Sequence, residues 1–127
     1  MNEIFGNSIL MTEKSLDFLW KKQQVTMNNI ANNDTPGYKT QYVTFEEAFR
    51  NNLRNATLGH DSKKMRTAIS NSHYTVHTAT ERTRMDGNGV NLEVENVELT
   101  RTALQYQYGL NTLNSDIARL RMVIKGQ

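Results

Sequence analysis

The sequence predicts a mainly α-helical fold in which long N- and C-terminal helices pair as a coiled-coil-like hairpin. Apolar residues recur at helical spacing near both ends of the 127-residue chain. The single proline, Pro36, lies directly after the first of these patterns, and the segment between the patterns is rich in Asn, Ser, Thr and charged residues. Two helices with one narrow apolar stripe each bury those stripes against each other or against neighbouring molecules.

The chain divides into four segments, of which the two ends form one structural domain. We expect an N-terminal helix in 1–34, a turn and extended segment in 35–49, a polar, flexible middle in 50–85, and a turn and helix in 86–127. The middle is expected to be poorly ordered or weakly β, because its apolar residues are scattered singly.

The N-terminal helix is expected over about residues 8–33, with Ser8 as its N-cap. Polar Gln23 interrupts its apolar stripe, as Asn111 does in the C-terminal helix, and both could fix the register of packing. The residues expected to pack are Ile9, Leu16, Leu19, Gln23, Met27 and Ile30.

The C-terminal helix has the cleaner pattern, because its apolar residues alternate spacings of four and three. Such a 3.5-residue repeat is typical of a helix that packs lengthwise on another helix. We expect Asn91 to be its N-cap and Gly109 to allow close approach of another backbone. The packing residues are Leu99, Ala103, Tyr106, Leu110, Leu113, Ile117, Leu120 and Ile124.

The stretch DTPGY predicts a sharp stop between helix and extended chain. Thr35 precedes a proline and is therefore biased away from helical backbone. Pro36 and Gly37 suit the second and third positions of a type II turn, where glycine supplies the positive φ. TQYVTF, which follows, could be extended. Alternation of Tyr74, Val76 and Thr78 predicts a weak strand with no evident partner.

Nothing in the sequence predicts catalysis, a cofactor or a metal site. The absence of cysteine excludes thiolate catalysis and cysteine-ligated zinc. His73 and His77 lack further ligands nearby, and DGNGVNLE lacks the glycine and glutamate of a calcium loop. The basic residues Lys63, Lys64, Arg66, Arg82 and Arg84 are interpreted as a solvated linker, without a nucleic-acid partner. We expect neither an enzyme nor a membrane span.

The segment IANNDTPGYK, after a heptad-like helix, resembles the A-N-x-x-T-P-G-Y signature of bacterial flagellar axial proteins. The matching residues are Ala31, Asn32, Thr35, Pro36, Gly37 and Tyr38. The short chain is similar to the proximal subunits of the basal-body rod, rather than to the distal-rod and hook proteins with their larger inserted domains. The segment 86–106 also resembles the corresponding part of a proximal-rod subunit.

The resemblance implies a structural subunit of the proximal rod. Such a subunit assembles helically, transmits torque and encloses the export channel. It would lie in the periplasmic rod of the basal body, after type III export without a cleaved signal peptide. The implied partners are further copies of itself, other rod subunits, the rod-to-MS-ring junction protein, the MS ring and the export apparatus.

The same apolar stripes suit an alternative from another class. A soluble helical-hairpin adaptor or secretion chaperone would bind a partner helix in the cytoplasm. It would form a discrete dimer or hetero-complex, whereas a rod subunit would be mostly monomeric and prone to polymerise.

Overall fold

Two long antiparallel helices and a two-stranded sheet make up most of the described chain. The computed structural model describes residues 2–45, 54, 61–80 and 89–126. Its elements in chain order are α1 (Asn2–Ala31), β1 (Gln41–Phe45), α2 (Ser62–Ser70), β2 (Tyr74–Thr78) and α3 (Leu92–Lys125). Helices α1 and α3 pack against each other along their lengths. The predicted mainly helical hairpin is therefore confirmed.

Helix α1 begins earlier than the sequence pattern indicates. It starts at Asn2, so Ser8 lies inside the helix, and the expected Ser8 N-cap is wrong. The Ser8 hydroxyl instead donates to Asp116 Oδ2 on α3, at 3.2 Å. Gly6 costs a helix about 1 kcal/mol relative to alanine. Packing of this end against α3 and α2 offsets that cost.

Helix α3 begins where the sequence predicts. Asn91 is its N-cap, and the side-chain oxygen accepts from the Val94 amide at 3.3 Å. Glu93 and Glu95 occupy the first turn, where the helix dipole favours negative charge. The helix ends at Gly126, whose φ of 69° is left-handed. The DGN part of the preceding turn lies outside the described residues.

The sheet supplies the partner that the predicted strand lacked. Strands β1 and β2 are antiparallel, in a register that places Gln41 opposite Thr78 and Phe45 opposite Tyr74. The partner is therefore the extended segment TQYVTF, about thirty residues earlier in the chain. Val43 is buried, and Phe45 stacks on Phe18 of α1 with ring centroids 5.3 Å apart. These contacts hold the sheet against α1.

Helix α2 was not predicted. Asp61 caps it by accepting from the amides of Lys63 and Lys64, at 3.0 and 3.2 Å. Ile69 is almost fully buried, at 1% exposure. The basic residues on its outer face hide this short amphipathic pattern in the sequence. Arg82 and Arg84 lie outside the described residues.

No helix in the described ranges is long and apolar enough to cross a membrane.

Candidate assembly body: the helix pair and its turn

The contact between α1 and α3 is centred on small and polar side chains rather than on the apolar stripes. Four α3 residues recur every seven positions along this contact, and we call them the central row: Glu95, Thr102, Gly109 and Asp116. Glu95, Thr102 and Asp116 are buried. A seven-residue period keeps one face of a helix against its partner.

Three contacts fix how α1 lies along the central row. Asn29 Nδ2 donates to Glu95 Oε2 at 3.0 Å near one end. Leu16 contacts Gly109 in the middle, and Ser8 donates to Asp116 near the other end. Their order shows that the two helices are antiparallel.

The predicted packing residues flank this row. Leu16 is buried, whereas Met27, Ala103 and Ile124 are exposed and lie off the contact. The remainder are half-buried: Ile9, Leu19, Gln23, Ile30, Leu99, Tyr106, Leu110, Leu113, Ile117 and Leu120. Asn111 is also exposed, so the expectation that it lies within the apolar contact is wrong. The polar row was overlooked because apolar spacing alone was used to orient the helix.

Gly109 sets the closest approach of the two helices. A Cβ atom at this position would lie 2.8 Å from Leu16 Cδ2, well inside van der Waals contact. The glycine therefore accepts a leucine side chain, rather than the second backbone that the sequence suggested.

Two further contacts lie on the borders of the helix pair. Lys22 Nζ is 2.9 Å from Glu98 Oε2, and this hydrogen bond is the main reason why the pKa of Glu98 is lowered. Trp20 and Tyr106 meet in a tilted arrangement, with ring centroids 6.0 Å apart.

The signature residues form the predicted turn. The Tyr38 amide donates to the Thr35 carbonyl at 3.3 Å, and Gly37 has a φ of 73°. These are the features of a type II turn. The Asn32 amide group donates to the Asn28 carbonyl at 2.8 Å, and its oxygen accepts from Thr35 Oγ1 at 3.0 Å. Asn32 thus ties the turn to the last turn of α1. Ala31 is the exposed last residue of α1.

Asn29 joins this turn to the strand and to α3. We call it and its partners Tyr38, Gln41 and Glu95 the Asn29 cluster. The Asn29 Oδ1 atom accepts from the Tyr38 hydroxyl and from the backbone amide of Gln41, each at 3.0 Å. Its Nδ2 donates to the Gln41 carbonyl at 2.7 Å and to Glu95 at 3.0 Å. An asparagine amide has two donors and two acceptor sites, so the whole capacity of this 1% exposed side chain is used.

Burial perturbs two ionisable groups of the cluster. Removal from water raises the pKa of Glu95, although the hydrogen bond from Asn29 opposes the change. Burial is likewise the main cause that raises the pKa of Tyr38. Both shifts disfavour the charged form, so the cluster is most stable when it is neutral.

Gly89 brings the chain ahead of α3 against the end of the turn. Its amide donates to the Tyr38 carbonyl at 3.0 Å, and its carbonyl accepts from the Thr40 hydroxyl. A Cβ there would lie 3.0 Å from the Tyr38 oxygen and 3.2 Å from the Thr40 nitrogen. A Cβ would therefore crowd two backbone atoms, and glycine fits this close approach best.

Sequence reasoning identified the turn but missed Asn29 and Gly89. It placed Glu95 in the first turn of α3 but not in the Asn29 cluster. A buried Asn and a buried Glu have no periodic signal of their own. Asn29 was interpreted only as part of an Asn-rich stretch that suits a helix end. Its position four residues after the apolar Val25, which places both on one face of a helix, is the signal that could have found it.

The comparisons with known proteins bear on this turn and on the whole chain. Residues 20–39 match the sequence profile of the family described as flagella basal body rod protein. The chain is 30% identical over 133 residues to the flagellar basal body rod protein FlgB of Aeromonas hydrophila, covering 97% of this chain and 96% of the relative. The chain belongs to the FlgB family of flagellar basal body rod proteins.

Two further FlgB proteins support this assignment. Identity to FlgB of Bacillus subtilis is 28% over 125 residues, covering 97% of each chain. Identity to FlgB of Buchnera aphidicola from Acyrthosiphon pisum is 27% over 133 residues, covering 99% of this chain and 97% of the relative. The segment 86–106 had suggested FlgB first and its paralogue FlgC second, and the matches support FlgB.

Membership of the FlgB family confirms a structural subunit of the flagellar rod in the basal body. It favours this function over a cytoplasmic adaptor. Within the described ranges, no group of three or more His, Cys, Asp or Glu residues is placed to hold a metal ion.

Proposed function

We propose that this FlgB-family chain is a proximal-rod subunit that assembles helically, transmits torque and encloses the export channel. The antiparallel α1–α3 body, built from both ends of the chain, carries this proposal. At about 1.5 Å per residue, α1 with 30 residues and α3 with 34 are roughly 45 and 51 Å long. Helices of this length can contact several neighbours along their sides.

The polar contacts of the central row suit a part that carries torque. An apolar contact with a seven-residue repeat can shift by one repeat and still match apolar residues with apolar residues. A shift here would separate Asn29 from Glu95, Lys22 from Glu98 and Ser8 from Asp116. Asn29, Glu95 and Asp116 are buried, and buried polar groups without partners are costly, so these contacts oppose sliding under load.

The turn has a positioning role in this proposal. It ends α1 and directs β1 back along the helix, while the Asn29 cluster ties both to α3. The packing residues and the signature residues are thus proposed to build one rigid body, whose outer surfaces meet the neighbours.

The proposed partners are further copies of the chain, other rod subunits, the rod-to-MS-ring junction protein and MS ring, and the flagellar export apparatus. We propose export without a cleaved signal peptide. The thin core supports passage as an unfolded chain, since only Leu16, Val25, Val43, Ile69 and Val90 are buried apolar residues within the described ranges. A core this small gives limited stability to overcome before export.

Deletion of the gene in its host tests the proposed function. We expect loss of swimming and, in images of the cell envelope, rotor rings without a rod. Expression of the intact chain in the same strain should restore both. Intact rods and normal swimming in the deletion strain would overturn the proposal.

A further inference from the structure

Helix α3 carries a second heptad stripe, on the side that faces away from α1. Val97 and Leu104 each follow a central-row residue by two positions, which turns them about 160° from the α1 contact. They are 65% and 67% exposed. The stripe, which we call the α3 outer stripe, alternates spacings of three and four through exposed residues Val94, Val97, Arg101, Leu104, Tyr108 and Asn111.

Helix α1 carries a matching exposed stripe. It alternates spacings of four and three, and Trp20 and Met27 are its large apolar members, at 53% and 52% exposure. Trp20 meets Tyr106 in a tilted arrangement and still leaves about half of its surface exposed. The stripe, which we call the α1 outer stripe, consists of exposed residues Glu13, Asp17, Trp20, Gln24, Met27 and Ala31.

The two outer stripes are complementary when they are aligned antiparallel. Three levels then join apolar side chains, with Ala31 opposite Val94, Met27 opposite Val97 and Trp20 opposite Leu104. The other levels join hydrogen-bonding groups, with Gln24 opposite Arg101, Asp17 opposite Tyr108 and Glu13 opposite Asn111. Each polar level pairs an acceptor on α1 with a donor on α3.

We propose that the α3 outer stripe binds the α1 outer stripe of a second copy of this chain, in this antiparallel register. The proposal rests on the proposed function as a rod subunit and names the contact between neighbouring copies. The α3 outer stripe faces away from the α1–α3 contact, and the α1 outer stripe lies at its border, where Trp20 meets Tyr106, so the two stripes of one molecule do not meet each other. Every copy presents one stripe of each kind, which generates a heterologous, repeating contact rather than a closed twofold dimer.

The antiparallel direction is the one expected for copies whose helices run along the axis of a rod. Rotation about an axis parallel to the helices leaves every α1 pointing the same way. Since α3 is antiparallel to α1 in each copy, a neighbour's α1 is also antiparallel to it. The register equals that inside the hairpin, where Asn29 lies beside Glu95 and Leu16 beside Gly109. Neighbouring copies therefore lie at similar height.

The parallel alignment that keeps Trp20 opposite Leu104 matches less well. It would place Asp17 opposite Arg101, which is favourable. It would also place Glu13 opposite Val97 and Met27 opposite Asn111, and each of these levels sets an apolar side chain against a polar one. Charged groups facing apolar groups lose hydration without compensation.

Disulfide cross-linking tests the proposal, because the natural chain has no cysteine. Full-length Met27→Cys and Val97→Cys proteins, one of them carrying a mass tag, are mixed at increasing concentration and oxidised. A disulfide requires Cα atoms within about 7 Å, so only aligned stripes react well. We expect the disulfide-linked mixed dimer to be several-fold more abundant than either homodimer. A mixture of Ala31→Cys and Val94→Cys proteins should give the same result. Met27→Cys with Asn111→Cys, which the parallel alignment would join, is the control.

Leu104→Glu should reduce this cross-link several-fold and abolish rods in the host. Leu104 is exposed, so helix content by circular dichroism should not change. Gln107→Glu adds the same charge at an exposed position beside the stripe and should retain the cross-link.

Three results would overturn the proposal: mixed dimers no more abundant than homodimers, equal reaction of the parallel control, or normal rods with Leu104→Glu. If deletion of the gene still removes the rod, the rod function stands without this contact. If the deletion strain builds normal rods, the proposed function fails by itself.

Discussion

At the scale of single residues, Gly109 shows how a position that weakens a helix can strengthen the contact between two. Glycine costs about 1 kcal/mol in a helix relative to alanine. At this position the missing Cβ leaves room for Leu16, whose Cδ2 atom would be only 2.8 Å from it. The sequence revealed the unusual glycine, but not which side chain fills the space.

We expect Gly109→Ala to destabilise the protein by about 1 kcal/mol, because overpacking costs about 1–3 kcal/mol and outweighs the gain in helix propensity. In a Leu16→Val background both Cδ atoms are absent. There the same substitution should stabilise by up to about 1 kcal/mol. Urea unfolding of the four proteins measures both effects. The same sign in both backgrounds would refute the packing explanation.

Glu95 gives a second residue-scale prediction, which concerns pH. Burial raises its pKa in the folded protein, so folding takes up protons there and stability falls as pH rises from the ordinary value near 4.5 through the raised one. Glu95→Gln keeps an acceptor for Asn29 and removes the charge. The variant should match the natural protein at low pH and become relatively more stable towards pH 7, by about 1.4 kcal/mol per unit of raised pKa.

Glu98→Gln is the matched control, because Lys22 lowers the pKa of Glu98. The stability contributed by Glu98 is present above its ordinary pKa and is lost as pH falls through the lowered one. This variant should therefore become relatively less stable towards pH 7. Urea unfolding from about pH 2 to pH 7 measures both variants, because the Glu98 transition lies below its ordinary pKa. If the free energy of unfolding of both variants changed with pH as that of the natural protein does, the raised pKa of Glu95 and the lowered pKa of Glu98 would be contradicted.

At the scale of elements, Gly37 contributes to the turn after α1 through its backbone conformation alone. Gly37 has a φ of 73°, and no atom lies within 4 Å of a Cβ built on it. A substitution there therefore tests the left-handed conformation without a steric clash. The sequence predicted this element correctly because proline and glycine act locally.

Gly37→Val should destabilise the protein by about 1–2 kcal/mol, the cost of left-handed backbone for a residue with a Cβ, and should impair motility. Gly37→Asn is the control, since asparagine tolerates this conformation and this variant should lose less stability. Thermal unfolding and swimming assays give the two readouts. Equal stability of the valine and asparagine variants would argue against a role for the positive φ.

The other elements show where local reasoning stopped. Strand β2 was expected from its alternation, but its partner β1 lies beyond α2 and a stretch of more than fifteen further residues. Pairing over such a distance depends on packing against Phe18 rather than on local sequence. The Asn29 cluster likewise joins residues 29, 38, 41 and 95, and no single stretch of sequence contains that arrangement.

At the scale of the whole molecule, the helical hairpin was predictable because its periodicity extends over two long segments. The orientation of each helix was not, because the central row is polar. Apart from Leu16, the apolar residues that seemed to define the contact divide between its borders and the outer surface. A subunit that binds neighbours needs apolar residues on more than one face, and this blurs the stripe that marks the inner contact.

The most direct test of this account is electron cryo-microscopy of basal bodies purified from the host. We expect rod density that accommodates the α1–α3 hairpin with Asn29 beside Glu95, Leu16 against Gly109 and Ser8 beside Asp116. Rods in which this chain is present but the two helices are separated, or paired in another register, would contradict the claim that the hairpin is the body that assembles.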